Sequence, residues 1–187
     1  MATYNPAKQA AIDGLYSTFR NLGYDGATLV ELSRATGLGK ASLYYHFPQG
    51  KQEMATELLR NSVAQLNQLA FKHLRKKKKT PAIRISKFLT GFSDYVSQGE
   101  QNCLAVILVM GAAREQFQTA IKQQTEAWLA ELTDAFSDSG LSDKKARRRA
   151  VELMTSLYGA LILARMLDDA KIFQQIVERL EKAIQDE

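Results

Sequence analysis

The chain has 187 residues, 45% hydrophobic and 24% charged, with 25 lysines and arginines against 20 aspartates and glutamates and a formal net charge of +5. Such a length and apolar share allow a buried core in one large domain or two small ones, and the positive balance favours anionic partners such as nucleic acid or a membrane surface. With one cysteine, Cys103, no intramolecular disulfide can form, and with only His46 and His73 beside it there is no metal-ligand or nucleophile-base spacing, so an enzyme is not expected.

The start of the chain, MATYNPAKQAAIDG, has no apolar signal core, and the apolar runs CLAVILVMGAA and LMTSLYGALILARML fall short of the roughly 20 residues that cross a bilayer. The expected setting is therefore the cytoplasm, without membrane contact. Three prolines, many strong helix formers and no alternating runs of strand length predict a nearly all-α protein.

Ile12, Leu15, Tyr16, Phe19 and Leu22 stripe a first helix, with Gly23 placed to end it in a left-handed cap. TLVE then predicts a capping box in which Thr28 caps the backbone and Glu31 reaches back. Gly37-Leu38-Gly39 interrupts this second helix, and a third runs from Lys40 to Phe47, stopped by Pro48. Two short helices across a glycine-bearing turn make a helix-turn-helix candidate. Lys40, Ser42, Tyr45 and His46 cannot all enter a core, so part of the third helix must meet something outside.

A long fourth helix starts at Lys51 and runs to RKKKK, and Thr80-Pro81 opens a fifth carrying Ile85, Phe88, Leu89, Phe92 and Tyr95. The sixth, in CLAVILVMGAA, is apolar nearly all round and is expected to be central. Ile121, Trp128, Leu132 and Phe136 trace a seventh, Ser142 caps an eighth, and Ile172, Phe173, Ile176, Val177, Leu180 and Ile184 stripe a ninth. About nine helices are thus expected.

The stretch GYDGATLVELSRATGLGKASLYYHFPQGKQEM resembles the DNA-binding region of the tetracycline-repressor (TetR) family of bacterial transcriptional regulators. Gly23, Tyr24, Thr28, Gly37, Leu38, Lys40, Leu43, Tyr44, His46, Phe47 and Lys51 match the family pattern in order and spacing. Gly39 replaces a commoner serine, Ser33 stands where a small apolar residue is usual, and FPQGK carries one residue more than the common spacing. The resemblance implies a helix-turn-helix domain over residues 1–50 and a helical effector-binding and dimerisation domain over 51–187. It further implies a homodimer that binds a palindromic double-stranded DNA operator as a repressor and is released by a small apolar or amphipathic effector. The alternative is a helix-turn-helix protein without an inducer.

On this resemblance the third helix enters the major groove. Lys40 can take a guanine edge or a phosphate, and Ser42 and Tyr45 offer hydroxyls to bases or phosphates and a ring face to a thymine methyl. Tyr44 can hold a phosphate while its ring packs inward. His46 is either a phosphate donor or a structural residue. Thr28 caps its helix and helps present amides to a phosphate, and Lys51 would be a phosphate clamp. Phe92, Tyr95, Met110, Phe117, Trp128 and Tyr158 are the candidate ligand-binding residues, with ordinary core packing the competing role of each. Ser156, Gly159, Ala160 and Leu163 of the eighth helix, with Phe173, Ile176 and Leu180 of the ninth, are the expected dimer interface. The lysine run is either a solvated loop or a secondary contact with flanking DNA. No cofactor is expected.

Overall fold

A computed structural model of the protein describes residues 6–185, with side chains described from Ala11 onward. The first five residues of the stretch read for a signal lie outside these. Among the described residues there are nine α-helices and no strand: α1 (Pro6–Gly26), α2 (Leu29–Thr36), α3 (Lys40–His46), α4 (Lys51–Leu69), α5 (Pro81–Tyr95), α6 (Leu104–Met110), α7 (Arg114–Ser137), α8 (Asp143–Leu167) and α9 (Lys171–Gln185). Short 3₁₀ turns at Phe71–His73 and Ser97–Gly99 follow α4 and α5. The chain forms two compact units, one comprising residues up to Ser62 with Cys103–Ile121, the other Val63–Asn102 with Lys122 onward.

In the first unit Leu15, Phe19, Leu32, Leu43, Phe47 and Met54 are fully buried, so the predicted stripes of α1 to α3 and the start of α4 converge on one core, except that Leu22 of the α1 stripe is 48% exposed. The backbones of α1 and α2 meet at Gly14, where an added Cβ would stand 2.3 Å from the carbonyl oxygen of Ala35. Gly23 interrupts α1 without ending it: its φ of 71° and ψ of 179° lie in a region open essentially to glycine alone, and the helix resumes as far as Gly26. α6 is not the enclosed helix that its composition suggests. Leu104, Ala105 and Leu108 are buried, but Val106, Ile107 and Val109 are half-buried and Met110 is 78% exposed.

The second unit is built on a chain of rings. Trp128 stacks on Phe71 at 5.0 Å, Phe71 meets Phe88 edge-on at 4.8 Å, and Phe92 links Phe88 to Tyr158 and Phe173. The Trp128 indole N–H donates to Asn67 Oδ1 at 2.9 Å, so the largest of these side chains buries no unpaired donor. The expected long fourth helix stops at Leu69, and RKKKK is held by acids in and just after α7: Arg75 donates twice to Glu131 (2.9 and 2.7 Å), and Lys77 donates to Asp138. Arg84, only 2% exposed, also donates to Asp138, at 2.7 Å. These bonds from Lys77 and Arg84 hold the Asp138 carboxyl below its ordinary range.

Two consequences can be measured. In an isolated helix Gly→Ala gains about 1 kcal/mol; Gly14→Ala should instead lower the melting temperature, because backbone rather than a side-chain tip opposes the new methyl. Asp138→Asn should cost on the order of 1–3 kcal/mol, already discounted for the partial exposure of the carboxylate, by leaving the buried Arg84 without its charge partner. Since the Asp138 carboxyl is depressed on folding, its stabilisation is fully present above the ordinary aspartate range and is lost as pH falls through the folded value. Thermal melts of wild type and variant should therefore converge in acid.

Candidate nucleic-acid interface

Of the seven residues of α3, Leu43 is fully buried, His46 is half-buried, and Lys40, Ala41, Ser42, Tyr44 and Tyr45 are exposed. Tyr45 projects furthest, at 82% exposure, with its ring edge-on to His46 at 5.2 Å. Tyr44 is half in and half out, its ring lying over Gly50, where an added Cβ would come within 3.2 Å of Cε1. The buried anchors of this segment are Leu43 and, just past the helix, Phe47. An exposed face with one ammonium, three hydroxyls and two aromatic rings fits base edges, thymine methyls and phosphates.

The approach to α3 is set by the turn after α2. Gly37 adopts the left-handed conformation (φ 68°, ψ 4°) that caps α2 at little steric cost. Ser33, one of the departures from the family pattern, donates its hydroxyl to the Leu38 carbonyl at 2.6 Å, tying α2 to the turn. Thr28 caps α2 by accepting the Glu31 N–H at 3.3 Å. The other half of the expected capping box is replaced: the Glu31 carboxylate takes two bonds from Arg34, at 2.9 and 3.0 Å.

Lys51 occupies the first position of α4, half-buried. Its ammonium donates to the Tyr24 carbonyl at 2.9 Å and stands 4.4 Å from the centre of the Tyr24 ring. The same ring meets Phe19 at 6.0 Å and, edge-on, Phe117 at 5.7 Å, while its hydroxyl lies 3.4 Å from Gln116 Oε1. Burial, and then the neighbouring Asp25 carboxylate, push the Tyr24 phenol above its ordinary value, so it stays protonated. Sequence patterning passes over these links, since they join residues far apart in the chain.

The candidate ligand residues divide between the units. Phe92, Tyr95 and Trp128 are buried in the second, with Tyr158 half-buried and edge-on to Phe92 at 5.4 Å. Phe117 and the exposed Met110 stand in the first, Phe117 against Tyr24. Of the expected dimer residues, Ala160 and Phe173 are buried in the protomer, Ser156, Ile176 and Leu180 are half-buried, and Gly159 and Leu163 are exposed. Ser156 and Leu180 line a shared recess of about 200 Å³ between α8 and α9 with Phe136, Leu153 and Ile184. Gly159 and Leu163 belong to an outer stripe with Val151, Ile162 and Met166, the last 75% exposed. At 25 residues, α8 is also the one described helix long and apolar enough to cross a membrane by length and composition, more than its longest apolar run suggests.

Comparison with known proteins agrees with this geometry. Residues 12–58 match the bacterial regulatory proteins of the tetR family, and residues 81–179 match the C-terminal domain of LmrA/YxaF-like transcriptional regulators. The HTH-type transcriptional regulator LmrA of Bacillus subtilis is 24% identical over 166 residues, covering 87% of this chain and 88% of its own. The biofilm operon icaADBC HTH-type negative transcriptional regulator IcaR of Staphylococcus epidermidis is 39% identical over 54 residues, 29% of each chain. In fold, a TetR transcriptional regulator from Legionella pneumophila superposes with a TM-score of 0.79 at 16% identity, covering 98% of this chain and 99% of that one. Regulatory protein TetR from Rhodobacter sphaeroides gives 0.80 at 18% identity, over 95% and 98%. Matches in both halves of the chain and this shared fold make the protein, with its exposed α3, a member of the TetR family of bacterial transcriptional regulators.

Proposed function

We propose that this regulator is a cytoplasmic repressor that binds a roughly palindromic operator as a homodimer and leaves it when a small apolar or amphipathic effector binds. The observation that carries the reading is the exposed face of α3, with Lys40, Ser42, Tyr44 and Tyr45 turned to solvent around the buried Leu43. Residues 1–50 form its DNA-binding domain and residues 51–187 its effector-binding and dimerisation domain. Tyr45 and Lys40 read base edges, while Thr28, Ser42, Tyr44 and His46 hold phosphates and set register. Lys51, at the start of α4, belongs to the same DNA-binding end.

Support for the dimer comes from α8. Its outer stripe of Val151, Ile162, Leu163 and Met166 is apolar surface left over when the protomer is folded, and exposed Gly159 within it permits close approach of a second helix. Ile176 and Leu180 of α9 extend the surface. Two-fold symmetry then sets the recognition helices about one turn of DNA apart, roughly 34–36 Å. For the effector, Phe92, Tyr95, Trp128 and Tyr158 supply adaptable apolar walls. The reading without an inducer draws on the same aromatic residues, since Trp128 is stacked on Phe71 and Tyr158 packs edge-on against Phe92.

Fluorescence anisotropy with DNA from upstream of the gene should show binding that beats random DNA and weakens with salt. Tyr45→Ala should lower operator affinity about tenfold, the order of one good base contact, and leave random DNA nearly unaffected; equal affinity for both DNAs in wild type would sink the operator reading. Leu163→Glu with Met166→Glu should shift sedimentation toward the monomer, and an unchanged dimer would move the interface off α8.

A further inference from the structure

The recognition helix ends at His46, and after four intervening residues Lys51 opens α4. Phe47–Gly50 is a tight turn closed by the Gly50 N–H donating to the Phe47 carbonyl at 2.8 Å. Wherever Lys51 is held, the exit of α3 is held too. It is held by Tyr24, a residue 27 positions earlier. The Tyr24 carbonyl accepts from the ammonium at 2.9 Å, and the ring face lies 4.4 Å from it. This cation is therefore turned toward α1, and burial and ring together define its position.

The ring is fixed from its other side. Phe117 packs edge-on against it, Gln116 Oε1 faces its hydroxyl, and the adjacent Asp25 carboxylate accepts the Ala112 N–H at 3.3 Å. All these residues belong to the first compact unit. The corner between α6 and α7 thus grips Tyr24-Asp25, and Tyr24 grips the start of α4.

On the operator-binding reading above, we propose that Tyr24 and Lys51 are a positioning pair for DNA recognition: Lys51 serves the operator by fixing the exit of α3 against Tyr24, and not as a charge placed on a phosphate. Tyr24 touches no DNA in this scheme. The two roles for Lys51 separate cleanly, because a phosphate contact releases counterions and a positioning contact does not.

The test uses the full-length protein, with Lys51→Gln, Tyr24→Leu, Tyr24→Phe and the Lys51→Gln/Tyr24→Leu double variant. Operator affinity is followed over a range of salt. Lys51→Gln and Tyr24→Leu should each weaken binding roughly three- to tenfold, the range of one cation–π contact, and the double variant should be no worse than either. The slope of log K against log salt should stay at the wild-type value in all of them. Tyr24→Phe, which keeps the ring face, should bind like wild type. A slope reduced by about 0.9 in Lys51→Gln, the signature of one lost phosphate contact, together with additive losses in the double variant, would overturn the proposal.

A DNA-free readout separates this failure from failure of the operator reading. In the proton NMR spectrum of the free protein the ε-methylene of Lys51 should be shifted upfield by the Tyr24 ring and return to the ordinary lysine position in Tyr24→Leu. An ordinary position in wild type sinks the pair whatever the DNA result. A shifted position with no preference for operator over random DNA leaves the pair standing and removes the operator reading. Thermal melts of each variant guard against a simple loss of folding.

Discussion

Burial of Leu43 and Phe47 is the interaction on which the DNA-binding end depends. A helix of seven residues, as α3 is, is far below the length that holds itself together in water. Its conformation must come from anchoring, and two side chains of the segment are fully inside. The turn before α3 is fixed by left-handed Gly37 and by the Ser33 hydroxyl, and the turn after it by Gly50 and Lys51. With the ends pinned from outside the helix, its remaining positions are released from packing and can carry a dense outward set of polar and aromatic groups. The crowding of KASLYYHF and the shortness of the helix thus have one origin.

In the second unit a different constraint governs the basic segment. Positive side chains so close in sequence repel one another, and two acids, one in α7 and one just after it, compensate the ones nearest the core. Glu131 takes Arg75, and Asp138 takes both Lys77 and Arg84. Partial burial, and then the lysines around it, Lys76, Lys72 and Lys87, keep the His73 imidazole below its ordinary value. Arg84 is the expensive member: its Nε and one terminal nitrogen lack a protein partner, so the pair with Asp138 carries more weight than a surface ion pair.

Most of this architecture was legible in the sequence because its signals are local. Apolar spacing located the helices, Thr28 and Thr80 announced the starts of α2 and α5, and glycines marked the turn between α2 and α3. Where local signals competed, the outcome was set by contacts between distant residues. Glu31 had two partners within reach, the cap backbone and Arg34, and the guanidinium won because two bonds between opposite charges outweigh one bond to an uncharged amide. Composition placed α6 at the centre, yet exposure of Met110 depends on which faces its neighbours cover, and a seven-residue apolar run contains no face information. Phe117 illustrates the same limit. An aromatic residue in an amphipathic helix suits a ligand pocket or a core equally, and only the fold brings it to Tyr24. The Lys51 ammonium, 27 residues beyond its acceptor, left no trace in any local pattern.

The uncovered stripe of α8 has a consequence for gene dosage. Members of the family bind operators typically as dimers, and on the α8 interface proposed above the active species depends on encounter between two chains. At protomer concentrations below the dimer dissociation constant, dimer concentration grows as the square of protein level, and operator occupancy follows it. Halving synthesis would then quarter the active repressor, giving a threshold that no single side chain encodes. A few exposed methyl and thioether groups on one helix would thereby shape how sharply a promoter responds to the amount of its own regulator.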